Sequence, residues 1–419
     1  MSSKEIYVSI ALGNENHLVG KLWCHTRKGR ESASFEYDKH WLKHPESFAL
    51  EPALTLTQGA FHTQADQNLF GAIGDSTPDR WGRVLMRRAN SQNGKKRGAV
   101  PSTLREVDYL LGVNDEARQG ALRFSEHPLG PFLSSKDKAS IPPLIDLPKL
   151  LSATERFLDD DESAQDLKLL LAPGSSLGGA RPKASIRDKD GSLAIAKFPK
   201  KDDEFNIVAW EAVALKLAQK SQIKVPRWRF ETILDKAVII VSRFDRENQN
   251  RIPFLSAMSM LGAKDNEQHS YIEIAYALAK YGAHPNADMA ELWRRIVFNI
   301  LISNTDDHLR NHGFLYERQA GWKLSPSYDL NPTPVEIKPR ILTTAISFED
   351  STASLELALS VIGDFRISRE QANKIIEEIA YAVVQWRDVA QSFNLSNREI
   401  ERMSSAFEHD DLENALKIK

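Results

Sequence analysis

The sequence predicts an α+β protein with two lobes, the first rich in short strands and the second mostly helical. Short apolar runs bounded by turn residues recur before residue 243, as at 6–12, 18–23 and 193–198. After residue 270, apolar residues at helical spacing fill most of the chain. A change from strand signals to helix signals along 419 residues indicates two or more layered units rather than one uniform domain.

The first 158 residues contain strand candidates, two helical patterns and a linker. Strands are predicted over 6–12, 18–23 and 34–37, and the polar turn at 13–16 joins the first two into a hairpin. A helical pattern covers 68–88, with Pro78 in a first turn, and a shorter one covers 104–111. Residues 127–143 are rich in Pro and Ser and predict a linker, followed by a helix over 147–158. Residues 1–135 are therefore predicted to form an N-terminal subdomain.

Residues 144–419 are predicted to form two lobes, a β-rich lobe at 144–243 and a helical lobe at 244–419. Strands 184–186 and 193–198 flank a turn, a helix covers 204–220, and strands 228–233 and 237–241 follow. Helices are then predicted over 272–280, 289–302, 354–359, 370–393 and 397–407.

Composition excludes several classes of protein. Lys+Arg 55 against Asp+Glu 57 gives a net charge of −2, which does not favour direct binding to DNA. The single cysteine, Cys24, excludes an intrachain disulfide and is typical of a reducing cytoplasm. Neither a signal-peptide pattern nor an apolar run of membrane-spanning length is evident, so we expect a cytoplasmic location without a membrane partner.

The segment ISNTDDHLRNHGFL at 302–315 carries most of the chemical information. Asp306, Asn311 five positions later, and Asp329 in SPSYDLNP repeat the layout of a kinase catalytic loop and its metal-binding Asp. One carboxylate would orient the attacking hydroxyl and accept its proton, and an amide oxygen with a second carboxylate would hold Mg²⁺. Taken alone, the segment is explained better as a polar loop in which Asp306 is a turn or cap residue.

Three features earlier in the chain, taken in their order, favour the kinase catalytic loop over a simple polar loop. The Gly-rich segment GSSLGGARPK at 174–183 would let backbone N–H groups approach phosphate oxygens, although it departs from the Walker A pattern. Lys197 ends a predicted strand, and Glu211 follows 14 residues later within a predicted helix, as in the kinase clamp on the α- and β-phosphates. Each feature alone is common on protein surfaces, but their joint order predicts one ATP site.

In these residues and motifs, the chain resembles the HipA family of bacterial serine/threonine kinases, the toxins of toxin–antitoxin pairs. The resemblance rests on five pieces between residues 176 and 329 and on the segment 68–88 in the N-terminal part, so it covers nearly the whole chain. The five pieces are SLGGARPK at 176–183, KFP at 197–199, RFDR at 243–246, NTDDHLRN at 304–311 and YD at 328–329. It implies a protein-kinase-like fold with an additional N-terminal subdomain.

The resemblance also implies roles for individual residues. Asp306 would be the catalytic base, Asn311 and Asp329 the Mg²⁺ ligands, and Ser176 the autophosphorylated serine, with Ser175 as the alternative. His308 would lie beside the base, either supporting the loop or acting directly. The implied ATP-binding residues are Ser176, Leu177, Gly178, Gly179, Ala180, Lys183, Lys197, Glu211, Ser242 and Phe244. Ser242 stands where the family often has Glu, which leaves a backbone contact to adenine as its expected role.

The function implied by the resemblance is an ATP- and Mg²⁺-dependent protein kinase that inhibits growth by phosphorylating a translation component such as an aminoacyl-tRNA synthetase. Its expected partner is a HipB-like helix-turn-helix antitoxin, through which alone it would meet DNA. Two alternatives stay open at this point. One is a small-molecule kinase. The other is a non-catalytic corepressor of a DNA-binding antitoxin, against which the intact Asp306, Asn311, Asp329 and Lys197 argue.

Overall fold

The computed structural model describes residues 2–96, 98, 103–133, 141–142, 144–171, 179–248 and 250–418. The chain divides into two compact units. The first comprises Met1–Asp202 and Glu231–Leu255, and the second comprises Asp203–Phe230 and Ser256–Lys419. The first unit holds most of the strands and the second most of the helices, which confirms the predicted α+β fold.

In the described part of the chain, the strands are β1 Ser2–Leu12, β2 Glu15–Arg27, β3 Arg30–Tyr37, β4 Ala60–His62, β5 Leu122–Ser125, β6 Lys183–Arg187, β7 Leu193–Lys197, β8 Trp228–Ile233, β9 Lys236–Ser242, β10 Arg246–Glu247, β11 Asn250–Arg251, β12 Phe254–Ser256, β13 Gly313–Tyr316 and β14 Trp322–Leu324.

The α-helices within the same residues are α1 Lys39–Leu42, α2 Gly71–Gly74, α3 Arg80–Lys96, α4 Glu106–Gly112, α5 Leu147–Leu158, α6 Ala164–Leu171, α7 Ile207–Lys220, α8 Ala257–Leu261, α9 Tyr271–Tyr281, α10 Pro285–Leu301, α11 Leu355–Ser360, α12 Arg369–Val383, α13 Trp386–Ser392, α14 Asn397–Arg402, α15 Ser404–Phe407 and α16 Asp410–Ala415. None of them is both long enough and apolar enough to cross a bilayer.

Two sheets organise the first unit. The five-stranded sheet has the order β4-β3-β2-β1-β5, and its β1–β2 pair is the hairpin predicted from the turn at 13–16. The four-stranded sheet has the order β6-β7-β9-β8, with Lys183 of β6 directly opposite Lys197 of β7. Trp81 of α3, Phe157 of α5 and Ile186 of β6 share one buried core. A helix of the N-terminal subdomain thus packs into the core of the second sheet.

The helical unit is organised around α10, whose residues are buried at most positions. The indole N–H of Trp293 on α10 donates to the carbonyl oxygen of Ala358 at 3.0 Å. Helix α7 belongs to this unit and packs its Trp210 against Trp386 of α13, with ring centroids 6.2 Å apart. This core fixes the C-terminal end of α10, from which the segment 302–315 leaves.

Three predicted helices differ from the observed ones. The pattern over 68–88 is two helices, because the Thr77 hydroxyl donates to the Gly74 carbonyl at 2.7 Å and Pro78 follows without an N–H. The prediction that Pro78 lies in a first turn is wrong, since α3 begins at Arg80. The continuous helix predicted over 370–393 is interrupted after Val383, and the one over 397–407 is interrupted after Arg402. Periodicity persists across such breaks because both halves bury the same face.

Candidate active site

The segment that follows α10 contains two neighbouring carboxylates, one exposed to solvent and one buried. The Asp306 side chain is 71% exposed, whereas the Asp307 side chain is 4% exposed. Asp307 Oδ2 accepts hydrogen bonds from the Tyr271 hydroxyl at 2.6 Å, from Asn299 Nδ2 at 2.9 Å and from His312 Nε2 at 2.8 Å. The buried carboxylate therefore anchors the loop, and its neighbour is left facing solvent.

The electrostatics of Asp307 agree with this anchoring role. Burial alone would raise the pKa of its carboxyl, but the charge of His312 and the hydrogen bonds from His312 and Tyr271 outweigh burial and lower the pKa. Burial, together with the Asp307 charge, raises the pKa of Tyr271 well above its usual value. Asp307 thus stays ionised inside the unit, and Tyr271 stays a neutral donor.

A lysine from a later part of the chain lies beside Asp306. Lys338 Nζ is 3.6 Å from Asp306 Oδ1 and donates to the carbonyl oxygen of Thr305 at 3.0 Å. Its side chain is 39% exposed. Thr343 supports the same place, because its hydroxyl also donates to the Thr305 carbonyl, at 2.9 Å. Asp306 therefore faces solvent with a positive charge held next to it.

Asn311 offers an oxygen suited to a metal ion. Its side chain is 4% exposed, and its Oδ1 atom is buried without a hydrogen-bond partner among the described residues. The other end of the amide, Nδ2, is directed at the carbonyl oxygen of Asp306 at 3.5 Å. A buried, unpartnered amide oxygen is costly in a protein unless something binds it, and amide oxygens are suitable ligands for Mg²⁺. Asn311 thus carries the kind of donor atom that the predicted metal ligand requires.

Hydrogen bonds on both sides of Asp329 tie its segment to the loop at 304–311. The Tyr328 hydroxyl donates to the Arg310 carbonyl at 2.7 Å, and the Asn331 N–H donates to Asn304 Oδ1 at 3.2 Å. Asp329 itself has φ +61°, the left-handed region that a non-glycine residue rarely adopts. Such strain persists where surrounding contacts enforce it, and it is frequent at functional sites. The structure thus brings the segments of Asp306, Asn311 and Asp329 together.

His308 lies between the two acids and Asn311 in the loop. Its carbonyl oxygen accepts from the Asn311 N–H at 2.8 Å, at the start of the short 3₁₀ turn Leu309–Asn311. Its Nδ1 atom is buried and has no hydrogen-bond partner in the described part of the chain. The backbone of His308 supports the position of Asn311, and the role of its ring stays a prediction.

The first unit holds the predicted phosphate-binding residues that the structure describes. Lys197 ends β7, as predicted, opposite Lys183 on β6. The Lys183 ammonium is 4% exposed and donates to Asp79 Oδ2 at 2.9 Å and to the Gly179 carbonyl at 3.3 Å. Ala180 follows Gly179 in the described segment. Ser175, Ser176, Leu177 and Gly178 lie outside the described residues.

Ser242 and Phe244, which the family resemblance places at the ATP site, lie beside a buried ionic network in the same unit. Ser242 is the last residue of β9 and pairs with Ala194 of β7. Next to it, Arg243 donates to Asp245 and to the carbonyl of Ala117 at 2.9 Å, and its side chain is fully buried. The Phe244 ring lies 6.3 Å from the ring of Phe254. The RFDR segment therefore fixes the end of β9 against residues of the N-terminal subdomain.

Glu211 lies on α7, where helix was predicted, and its side chain is 4% exposed. A buried carboxylate in a helix requires a partner, so the surface position that is common for helix Glu is excluded here. Helix α7 belongs to the second unit, although the helix over 204–220 was predicted to lie within the β-rich lobe.

Sequence reasoning missed three residues that the structure places at these sites. Asp307 is adjacent to Asp306, and only its burial distinguishes the two. Lys338 and Asp79 are remote in sequence from their partners Asp306 and Lys183. The repeated acid in NTDDH is a usable signal for Asp307, because Asp side chains in tight loops readily accept hydrogen bonds from nearby donors. No local signal pointed to the other two.

Comparison with known families identifies the relatives of this chain. A family model described as the HipA N-terminal domain matches residues 12–106. A second, described as the HipA-like C-terminal domain, matches residues 175–387, which is 213 of the 419 residues.

Individual relatives match over shorter stretches. The chain is 26% identical over 212 residues to a Haemophilus influenzae protein named "Putative kinase", covering 43% of this chain and 61% of that protein. It is 27% identical over 150 residues to "Putative kinase Y4dM" of Sinorhizobium fredii, covering 35% of this chain and 36% of that protein. The matches thus span less than two thirds of the length of these curated relatives.

Among solved structures, the chain is similar to one in the complex of the Shewanella oneidensis MR-1 toxin–antitoxin system HipA, HipB and its operator DNA. The TM-score is 0.66 at 16% identity, and the match covers 98% of this chain and 96% of that chain. At this identity the likeness shows a shared fold.

Proposed function

The chain belongs to the HipA family, and from this premise we propose that it is an ATP- and Mg²⁺-dependent protein serine/threonine kinase that acts as the toxin of a toxin–antitoxin pair. The observation that carries the proposal is the contrast between Asp306 and Asp307. A loop that buries one carboxylate in three hydrogen bonds and leaves the other exposed is built to offer a base to a large substrate.

Asp306 would act as the catalytic base. Its carboxylate would accept the proton of a serine or threonine hydroxyl while that oxygen forms a bond to the γ-phosphorus of ATP. The bond from the γ-phosphorus to the bridging oxygen breaks at the same time, and ADP leaves with that electron pair. An exposed base suits a hydroxyl carried by a protein better than one on an enclosed metabolite, which favours a protein kinase over a small-molecule kinase.

Asn311 and Asp329 would hold Mg²⁺, which neutralises charge on the nucleotide phosphates when bound. The unpartnered Oδ1 atom of Asn311 supports this assignment. Lys197 would bind phosphate, and the backbone at Gly179 and Ala180 would contribute N–H donors. Lys338, 3.6 Å from Asp306, would lower the cost of the negative charge that gathers beside the base.

Regulation and partners are proposed on family grounds. Autophosphorylation at Ser176 or Ser175 would place a charge of about −1.5 to −2 in the Gly-rich segment, where it would compete with the phosphates of ATP. The partner would be a HipB-like helix-turn-helix antitoxin, with DNA contacted through it. The target would be a translation component such as an aminoacyl-tRNA synthetase, phosphorylated in the cytoplasm.

The proposal is tested by phosphate transfer. Purified protein is incubated with γ-labelled ATP, Mg²⁺ and cell extract, alongside Asp306→Asn and Asp329→Asn variants. We expect label on serine or threonine of a small set of proteins and on the 174–183 peptide with wild type, and strongly reduced label with both variants.

Growth measurements separate the kinase from the non-catalytic corepressor. Expression without a partner should slow growth, and both Asp306→Asn and Lys197→Ala should relieve this. Equal growth arrest by wild type and both variants, with no label transferred, would favour the corepressor. Label found on a metabolite alone would favour the small-molecule kinase.

A further inference from the structure

The N-terminus of α3 contacts the C-terminal end of the Gly-rich segment, about 100 residues later in the chain. Asp79 precedes the helix and uses both carboxylate oxygens. Its Oδ1 accepts from the Gly82 N–H at 2.8 Å, which caps the first turn. Its Oδ2 accepts from Lys183 Nζ at 2.9 Å. One side chain therefore both starts α3 and fixes Lys183.

Trp81 adds two contacts to the same segment. Its indole N–H donates to the Lys183 carbonyl at 2.9 Å, and its backbone N–H is directed at the Gly179 carbonyl at 3.4 Å. The Gly179 carbonyl also accepts from Lys183 Nζ at 3.3 Å. Gly179 has φ +86°, a conformation that side-chain-bearing residues rarely adopt, so this carbonyl orientation depends on glycine. The backbone at 179 and 183 is thus held at three points.

Burial makes these contacts costly to lose. Asp79 and Lys183 side chains are 6% and 4% exposed, and Trp81 is 3% exposed. A buried charge that loses its partner is strongly unfavourable, so neither member of the ion pair is easily replaced alone. Ion pairs on the protein surface, by contrast, contribute little to the stability of most proteins.

The register of the sheet gives the ion pair a second consequence. Lys183 and Lys197 are direct partners in the antiparallel β6–β7 pair, so their side chains leave the same face of the sheet. Like charges in that position repel each other. Asp79 offsets the charge of Lys183 and thereby reduces this repulsion across the β6–β7 pair.

We propose that Asp79 and Trp81 are positioning residues for nucleotide binding: through Lys183 and Gly179 they fix the end of the Gly-rich segment and the start of β6, opposite the phosphate-binding Lys197. The inference rests on the proposed kinase function and deepens it. It gives the N-terminal subdomain a part in ATP binding, although neither residue touches ATP.

The experiment measures two quantities on the full-length protein, with Asp79→Ser as the main variant. Serine is a good helix N-cap, so α3 keeps its cap while Lys183 loses its partner. The first readout is the dissociation constant for Mg-ATP. The second is amide hydrogen exchange of residues 179–187 without nucleotide, which needs no catalytic activity.

Trp81→Phe and Arg83→Met complete the series. Phenylalanine keeps a ring for the packing against Phe157, whose centroid is 5.2 Å away, and removes the indole N–H together with part of the ring volume. Arg83 lies on the same turn of α3, and its guanidinium donates to Glu106 at 2.5 and 2.8 Å, to the Pro78 carbonyl at 3.1 Å and to the Thr77 hydroxyl at 3.2 Å. Among the described residues it makes no hydrogen bond to Lys183 or Gly179. It therefore controls for the loss of an ion pair in this helix.

We expect Asp79→Ser to raise the dissociation constant for Mg-ATP about tenfold and Trp81→Phe about threefold, corresponding to losses of about 1.4 and 0.7 kcal/mol. Exchange should rise at 179–187 in both, while β1 and β2 stay protected. Arg83→Met should leave both readouts at the wild-type level.

Two results would overturn the inference in distinguishable ways. Wild-type protein that binds no Mg-ATP would remove the proposed function and this inference with it. Wild type that binds Mg-ATP, with equal or tighter binding by Asp79→Ser and Trp81→Phe, would remove the inference alone. Should Asp79→Ser not fold, Trp81→Phe decides by the same criteria.

Discussion

Asp306 and Asp307 are adjacent in sequence and identical in chemistry, yet the second unit uses them for opposite purposes. Asp307 is buried under hydrogen bonds from Tyr271, Asn299 and His312, whereas Asp306 is exposed with Lys338 beside it. The contrast teaches how one carboxylate can hold a loop for another: the ionised, buried Asp307 keeps the loop in place, so that Asp306, the proposed base, can stay exposed.

The largest expected effect is on catalysis by Asp306→Asn. This change keeps the side chain's shape and removes the base, so kcat should fall by about 10²- to 10⁴-fold, as is typical of general-base removal. The melting temperature should stay within about 1 °C of wild type, because the side chain is exposed. Steady-state phosphate transfer and thermal unfolding measured on one preparation check both halves. An unchanged kcat would contradict the assignment of Asp306 as base.

Asp307→Asn should give the opposite result, a loss of stability of about 3 kcal/mol. The substituted amide keeps one acceptor oxygen for the three donors but removes the buried charge, so the charge-assisted hydrogen bonds at this oxygen are weakened. Chemical denaturation, followed through the second unit's tryptophans, measures the loss. If Asp307→Asn were as stable as wild type and catalytically dead, the roles of the two acids would have to be exchanged.

The pH dependence of the free energy of unfolding separates Asp307 from another buried group, because His409 titrates in a different pH window. Burial, reinforced by the Arg340 charge, lowers the pKa of His409 from 6.5 to about 4. Between these values the unfolded chain binds the proton and the folded chain does not, so stability rises with pH in this window and is lost as pH falls through it. At pH 5 the loss should be about 2 kcal/mol relative to pH 8.

His409→Gln should flatten the stability profile between pH 6.5 and 4, as measured by denaturant unfolding across that range. The contribution of Asp307 lies in a lower window, because the pKa of Asp307 is lowered and its contribution is lost only as pH falls below its ordinary value of about 3.9. Identical slopes for wild type and His409→Gln would show that another group controls this window.

The smallest effect concerns Lys338, the charge beside the base. Lys338→Met should lower kcat about tenfold with little change in stability, equivalent to about 1.4 kcal/mol of lost electrostatic stabilisation, and Lys338→Arg should restore most of the rate. Lys323→Met is a matched control, because Lys323 is 40% exposed and lies 3.6 Å from Glu317 in another surface pair. Equal rates for Lys338→Met and the control would remove Lys338 from the catalytic account.

Much of the fold followed from local patterns. The helix predicted over 147–158 is observed as Leu147–Leu158, and the strands around 184–186, 193–198 and 237–241 are present within a few residues. Breaks inside long helical patterns, as after Val383, were missed because the buried face continues across them. The assignment of α7 and its Glu211 to the helical unit could not be predicted, since it depends on packing against α12 and α13 rather than on the helix itself.

The sequence by itself determined which chemical groups this protein has and in what order: a Gly-rich segment, a strand Lys, a helix Glu, then Asp306, Asn311 and Asp329. Only the tertiary structure decided which of two adjacent acids faces solvent, that the Asn311 amide oxygen is buried without a partner among the described residues, and that Asp79 binds Lys183 from 104 positions away. The physical reason is that burial and long-range hydrogen bonds are set by residues far apart in the chain, whereas periodicity and spacing report only what neighbouring residues share.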